Sequence, residues 1–286
     1  MDFPDYFADA QADLDKSDFV IFGVPYGKIS SFRYGVEKAP KEIRQASWNF
    51  ETYDIRSDVD IQDIQIHDYG NLDVDNLGYE EMIDNVKNFT VSLLSKNKFP
   101  IAIGGQHSIT PGIIKAFSKD IAVIFLDAHI DYREEYENNK YNHACAVRRV
   151  SDHVSVQNIA VLGIRSAEKE EFDDAKKSNL FYRDAFSIFQ NGVSNTIDET
   201  KKYLKDKKIY FSLDIDVIDP AYAPGTSTPE PFGLKPINIL EIIEAFSDQL
   251  IGFDVVEVCP SYDHGETSLL AAKFIRSLIC SVWKNK

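Results

Sequence analysis

The sequence predicts an α/β fold, a mainly parallel β-sheet with helices on both faces. Three observations predict it. Short, continuously apolar runs recur along the chain, as in "FVIFGVP" (19–25), "FPIAIGG" (99–105), "IAVIFL" (121–126) and "LIGFDVVEV" (250–258). Strands buried on both faces read this way, without the polar alternation of a half-solvated sheet. Amphipathic stretches of helical spacing separate the runs, as parallel neighbours require. Polar residues gather where apolar runs stop, which is where open parallel sheets bind ligands.

The elements follow in order. "FVIFGVP" reads as the first buried strand. "APKEIRQAS" (39–47) reads as a helix, with Pro40 in the first turn, where a missing N–H costs nothing. "IQIHDYG" (64–70) is a short strand. "YEEMIDNVKNFTVSLLSK" (79–96) spaces Met82, Val86, Phe89 and Leu93 along one helical face. "FPIAIGG" is a strand, "TPGIIKAFSK" (110–119) a helix and "IAVIFLDAH" (121–129) a strand. "VQNIAVLGI" (156–164) is a strand, "SAEKEEFDDAKKSN" (166–179) a helix and "LFY" (180–182) a short strand. "VSNTIDETKKYLKD" (193–206) is helical, "KIYFSLDID" (208–216) a strand and "KPINILEIIEAFSD" (235–248) a helix. "LIGFDVVEV" is the last strand and "TSLLAAKFIRSLICSVW" (267–283) the last helix. The total is about eight strands. No internal repeat, low-complexity tract or Gly/Pro/Ser-rich linker interrupts them, so residues 1–286 read as a single domain. A TIM barrel also places sites at strand ends, but the irregular, loop-heavy stretches between the first strands argue against it.

Composition narrows function. The 286 residues carry 46 acidic and 31 basic side chains, a net charge of −15. Nucleic-acid binding needs a basic face, so this balance argues against it. An acidic field concentrates cations and suits a small cationic substrate, although solubility alone also explains it. Three cysteines (Cys145, Cys259, Cys280) without CxxC spacing argue against a disulfide framework and a thiolate zinc site. "DFPDYFADAQADLDK" after Met1 is acidic and lacks the apolar core of a secretory signal. Lys273 and Arg276 interrupt the apolar C-terminal run, and no run reaches the roughly 18 residues of a membrane span. The expectation is a soluble, cytoplasmic protein with no membrane partner.

"FLDAHID" (125–131) ends an apolar run with Asp127, His129 and Asp131 at every second position. Buried charges are normally paired or hold a metal. "GGQHS" adds His107, and "SLDID" adds Asp214 and Asp216. Each motif alone also fits a solvated turn or loop. Together, four carboxylates and two imidazoles suit hard or borderline divalent ions, and the lack of thiolates disfavours structural zinc. Six ligands exceed what one ion with an open position can use. With two carboxylates bridging, they hold two ions roughly 3.5–4 Å apart that generate hydroxide from a shared water.

"GGQHS", "DAHID" and "SLDIDVIDPAYAPGTSTPEPFGL" (212–234) resemble the ureohydrolases, the manganese-dependent arginase and agmatinase family. "GVPYGKISSFRYGVEKAPKEIRQAS" (23–47) and "DVVEVCPSYDHGETSLLAAKFI" (254–275) extend the resemblance over nearly the whole chain. It implies a three-layer α/β/α sandwich around a parallel sheet of about eight strands, the arginase/deacetylase-like fold. It implies two Mn²⁺ ions, one on His107, Asp127, Asp131 and Asp214, the other on Asp127, His129, Asp214 and Asp216. Glu257 matches the family's guanidinium-binding glutamate and His143 its catalytic-loop histidine, a proton shuttle. The implied reaction is attack of a metal-bridging hydroxide on a guanidinium group, with Asp131 relaying a proton to the leaving amine. "REEYENNKYNHACAVRR" (133–149) resembles agmatinases, which implies agmatine converted to putrescine and urea in polyamine biosynthesis. N1-aminopropylagmatine, arginine and guanidinobutyrate are the alternative substrates. Relatives form trimers or hexamers, so a homo-oligomer is expected.

Three positions depart from the pattern. Gln106 replaces the usual acid before the ligand histidine, Ala144 replaces a common glycine, and "GVPYGK" lacks an acid often present there. A phosphoester hydrolase has thin support in Arg133, Arg148 and Arg149, the basic residues near the ligand motifs. A mononuclear zinc deacetylase would not need both His107 and Asp216. A catalytically silent member would not need Glu257 and His143.

Overall fold

The computed structural model describes residues 3–28 and 30–286. In chain order the strands are β1 (Phe19–Val24), β2 (Tyr53–Asp54), β3 (Val59–Asp60), β4 (Ile66–Asn71), β5 (Phe99–Gly104), β6 (Ala122–Leu126), β7 (Ile159–Ile164), β8 (Phe181–Asp184), β9 (Ile209–Asp214) and β10 (Leu250–Val256). The helices are α1 (Ala39–Ser47), α2 (Tyr79–Leu94), α3 (Thr110–Ile114), α4 (Ala146–Ser151), α5 (Lys169–Lys177), α6 (Ala185–Asn191), α7 (Val193–Leu204), α8 (Pro236–Phe246) and α9 (Glu266–Lys284). Eight strands form one sheet in the order β4-β1-β5-β10-β9-β6-β7-β8, and every pairing is parallel. The sheet is open, with edges at β4 and β8, so the barrel alternative is excluded.

Alternating side chains create two cores. Phe19 and Ile21 of β1 enter one cluster with Ile43 of α1, Ile188 of α6, Leu204 of α7, Ile239 of α8 and Leu278 of α9. Val20, Phe22 and Val24 enter the other with Met82 of α2, Ile113 of α3, Val147 of α4 and Ala175 of α5. These two apolar layers make the sandwich. Each fully buried large side chain contributes about 1.5–3 kcal/mol relative to exposure. Among the described residues no helix is long and apolar enough to cross a membrane.

Local structure departs from the sequence expectation in a few places. The helix beginning at Thr110 stops at Ile114, and Phe117 beyond it turns in to pack on Tyr210 with ring centroids 5.6 Å apart. The short helix α6 is started by Asp184, whose carboxylate accepts from Ser187 N at 2.9 Å, a cap that apolar periodicity does not reveal. The β2–β3 ribbon has two residues per strand, too short for any periodic signal.

Candidate metal centre

The order of the central strands builds the site. β5, β10, β9 and β6 are neighbours, so their carboxyl ends lie side by side although they are far apart in sequence. Asp214 ends β9 in register with Val256 of β10, and Glu257 follows Val256. Asp127 follows β6, and its N–H still donates to Leu162 O of β7 at 3.1 Å. His107 opens a 3-10 turn past β5. A Cβ on Gly105 would lie 2.1 Å from Tyr26 O, so only glycine lets this segment pass the end of β1.

His107 Nδ1 stands 3.1 Å from Asp127 Oδ2, 3.2 Å from Asp131 Oδ2 and 3.3 Å from Asp214 Oδ2. His129 Nδ1 stands 2.8 Å from Asp216 Oδ2 and 3.7 Å from Asp127 Oδ1. Two trios therefore have the spacing of metal ligands: His107, Asp127 and Asp214, and Asp127, His129 and Asp216. Asp127 belongs to both, and Asp131 stands beside the first. The backbone orients the carboxylates. Asp127 Oδ1 accepts from His129 N at 2.6 Å, Asp214 Oδ1 from Asp216 N at 2.9 Å and Asp216 Oδ1 from Ala128 N at 3.0 Å. The second oxygen of each is left to face an imidazole.

Among the described residues, His107 Nδ1 and Asp127 Oδ2 are buried and have no hydrogen-bond partner. Buried polar atoms are rarely left so, and a cation between them would satisfy both. Electrostatics agree. Burial disfavours charge on His107, yet Asp127, Asp131 and Asp214 hold its pKa well above the usual imidazole range. Burial likewise opposes charge on His129, and Asp216 with Asp127 overrides it upward. Burial and the Asp127 charge raise Asp131 to about 7, while burial with Asp216 and Asp127 lifts Asp214 well above the carboxylate range. Protons thus hold together acids that a bound cation would hold instead. The donor set fits divalent ions.

Glu257 faces the same cavity, a space of about 280 Å³ that also meets His129, Asp131, His143 and Asp214. Its Oε1 accepts from His107 N at 2.7 Å and its Oε2 accepts from the Ser227 hydroxyl. Each oxygen keeps a lone pair for a further donor. Asp131 and Glu257 both sit on left-handed backbone, at φ 45° and 63°. Such conformations persist where surrounding structure over-determines them, often at functional sites. Glu257 is fixed by its N–H to Gly105 O at 2.8 Å and by Thr226 Oγ1 donating to its carbonyl at 3.0 Å. His143 opens a 3-10 turn and sets its ring edge to Tyr136 with centroids 6.0 Å apart. Burial and the nearby imidazoles push its pKa down to about 4. The eight residues singled out in the sequence thus share one site.

A family model described as "Arginase family" matches residues 17–280. The chain belongs to the arginase family. An agmatinase of Bacillus anthracis is 33% identical over 96% of this chain and 94% of its own. An N(1)-aminopropylagmatine ureohydrolase of Thermococcus kodakarensis is 35% identical over 91% and 89%. The crystal structure of the agmatine ureohydrolase of Thermoplasma volcanium superposes with a TM-score of 0.94 at 38% identity, covering 99% of this chain and 96% of that one. The protein is an arginase-family ureohydrolase, a hydrolase of C–N bonds.

This arginase-family site has a supporting layer that the motifs did not reveal. Ser212 Oγ lies 3.1 Å from His107 Nε2 and donates to Asp254 Oδ1 at 2.6 Å. Asp254, fully buried, also accepts from Thr110 Oγ1 at 2.9 Å and Tyr210 OH at 2.8 Å. An acid inside the apolar run "LIGFDVV" was the available signal. Arg165 clamps the loops behind the site, donating to Asp216 O and Glu230 O at 2.7 Å each. Gln106 Oε1 accepts from Lys28 N at 3.2 Å, tying this turn to the loop after β1.

Proposed function

We propose that the enzyme is a manganese-dependent agmatinase, converting agmatine and water to putrescine and urea. The observation that carries this reading is the buried Glu257 carboxylate in the wall of the cavity it shares with His129, Asp131, His143 and Asp214. In this reading His107, Asp127, Asp131 and Asp214 hold one ion, and Asp127, His129, Asp214 and Asp216 the other. Four carboxylates match the charge of two divalent ions, and oxygen and imidazole ligands suit manganese. When bound, such a pair supplies hydroxide near neutral pH and positive charge beside the reacting carbon.

The remaining tasks fall to the chain's own residues. Glu257 takes the planar guanidinium through paired, charge-assisted N–H···O bonds. Asp131, beside His107 and open to the cavity, passes a proton to the leaving amine. His143, neutral near pH 7, exchanges protons with solvent. The tail of the substrate meets Arg133, whose charge is countered by Glu168 at 3.3 Å and Glu171 at 3.4 Å. With two acids to one base, that rim favours an amine tail over a carboxylate tail. N1-aminopropylagmatine is the second reading, supported by the Thermococcus kodakarensis relative.

The test is urea release from agmatine, N1-aminopropylagmatine, arginine and guanidinobutyrate with Mn²⁺ present. Agmatine is expected to give the highest kcat/KM. No urea from any of the four overturns the reading.

We also infer one catalytic domain spanning residues 1–286, a cytoplasmic location and a homo-oligomer, a trimer or hexamer. Exposed Phe186, Phe189 and Phe232 supply apolar surface that self-association would cover. Light scattering that gives the monomer mass of 32.5 kDa would rule the oligomer out.

A further inference from the structure

We propose that Ser31 is a positioning residue for His143, held in place by Arg33; this rests on the reading of His143 as the proton-exchanging group. Ser31 Oγ lies 2.9 Å from His143 Nε2, a contact between residues 112 positions apart. His143 Nδ1 is buried without a hydrogen-bond partner among the described residues. Among the described residues, the Ser31 hydroxyl is thus the hydrogen-bond partner that fixes the rotation of the ring, beside the edge contact with Tyr136. Both Ser31 and His143 border the cavity that holds Glu257.

An exposed serine on a free loop would not hold an imidazole, because water competes for its hydroxyl. This loop is anchored. Arg33 Nη1 donates to Pro224 O at 2.8 Å and Thr226 O at 3.3 Å, and Arg33 N donates to Ser227 O at 3.2 Å. The guanidinium also lies over the Tyr262 ring, 4.6 Å from its centroid. Cys259 Sγ donates to Tyr34 O at 3.1 Å. The anchoring partner is informative, since Ser227 itself donates to Glu257 Oε2. Arg33 thereby registers the loop that orients His143 against the loop that orients Glu257. The staple sets the separation between the proton-exchanging imidazole and the carboxylate that takes the guanidinium.

The test compares the Mn²⁺-loaded wild type with Ser31→Ala, Ser31→Thr, Arg33→Met and His143→Ala. Ser31→Ala is expected to lower kcat by about tenfold, the scale of one lost hydrogen bond, with KM and bound manganese unchanged. Ser31→Thr should restore most of the rate, and Arg33→Met should move in the direction of Ser31→Ala. Carbethoxylation of His143, followed by peptide mass, should be faster in Ser31→Ala because Nε2 is uncapped. Wild-type kcat and an unchanged modification rate in Ser31→Ala would overturn the proposal. If the wild type releases no urea, the agmatinase reading falls; the modification rate, which needs no substrate, still decides whether Ser31 holds His143.

Discussion

The Ser212 hydroxyl stands 3.1 Å from His107 Nε2 and settles which nitrogen of that ring faces the carboxylates. Ser212 donates to Asp254, so it accepts from Nε2–H and leaves Nδ1 as the inward atom. Outer partners of this kind typically contribute 10–100-fold in metal affinity. Ser212→Ala and Asp254→Asn are therefore expected to weaken Mn²⁺ binding by about that factor. Titration of the metal-free variants, with circular dichroism to confirm folding, checks it. Wild-type affinity in both variants would contradict the orienting role.

Metal uptake should release protons. Without metal, burial opposes the imidazolium of His107 and His129, but facing carboxylates raise both pKa values, and Asp131 rises to about 7 through burial and the Asp127 charge. Ligation needs neutral imidazoles and ionised carboxylates. The metal-free state thus binds more protons than the loaded one, so affinity falls as pH falls and is gained as pH rises past 7. Calorimetry at pH 7 in two buffers of different ionisation enthalpy measures the number released. Equal heats in both buffers would show that none leaves.

Glu257→Gln should separate binding of the organic cation from binding of metal. The amide keeps the shape but loses the charge-assisted pairing, worth about 1.5–3 kcal/mol. The expected outcome is a kcat/KM for agmatine lowered by about 10–100-fold, with the manganese content unchanged. Full activity in this variant would remove Glu257 from substrate binding.

His143→Ala is expected to retain its bound metal by elemental analysis and to turn over about 10²–10⁴-fold more slowly. Loss of metal would instead make His143 a ligand.

The sheet was legible because its strands are buried on both faces, which makes runs such as "IAVIFL" continuous in sequence. The candidate ligand motifs were legible because Asp127, His129, Asp131, Asp214 and Asp216 break such runs at their ends. What stayed hidden depends on contacts across the sheet. Ser212 and Asp254 sit on neighbouring strands in direct register, and nothing local marks a serine as the partner of a histidine 105 positions away. The cap at Asp184, only three residues from its partner, and the Arg33 staple were missed for a different reason, since each acts on backbone groups that carry no side-chain signature.

In the proposed dinuclear site, side chains from the loops after β5, β6 and β9 enclose two cations. Anomalous diffraction at the manganese edge, from crystals grown in excess Mn²⁺, tests it most directly. Two peaks per chain are predicted, one beside His107 Nδ1 and one beside His129 Nδ1, with Asp127 contacting both. A single peak, or peaks away from these nitrogens, would rule out the paired site.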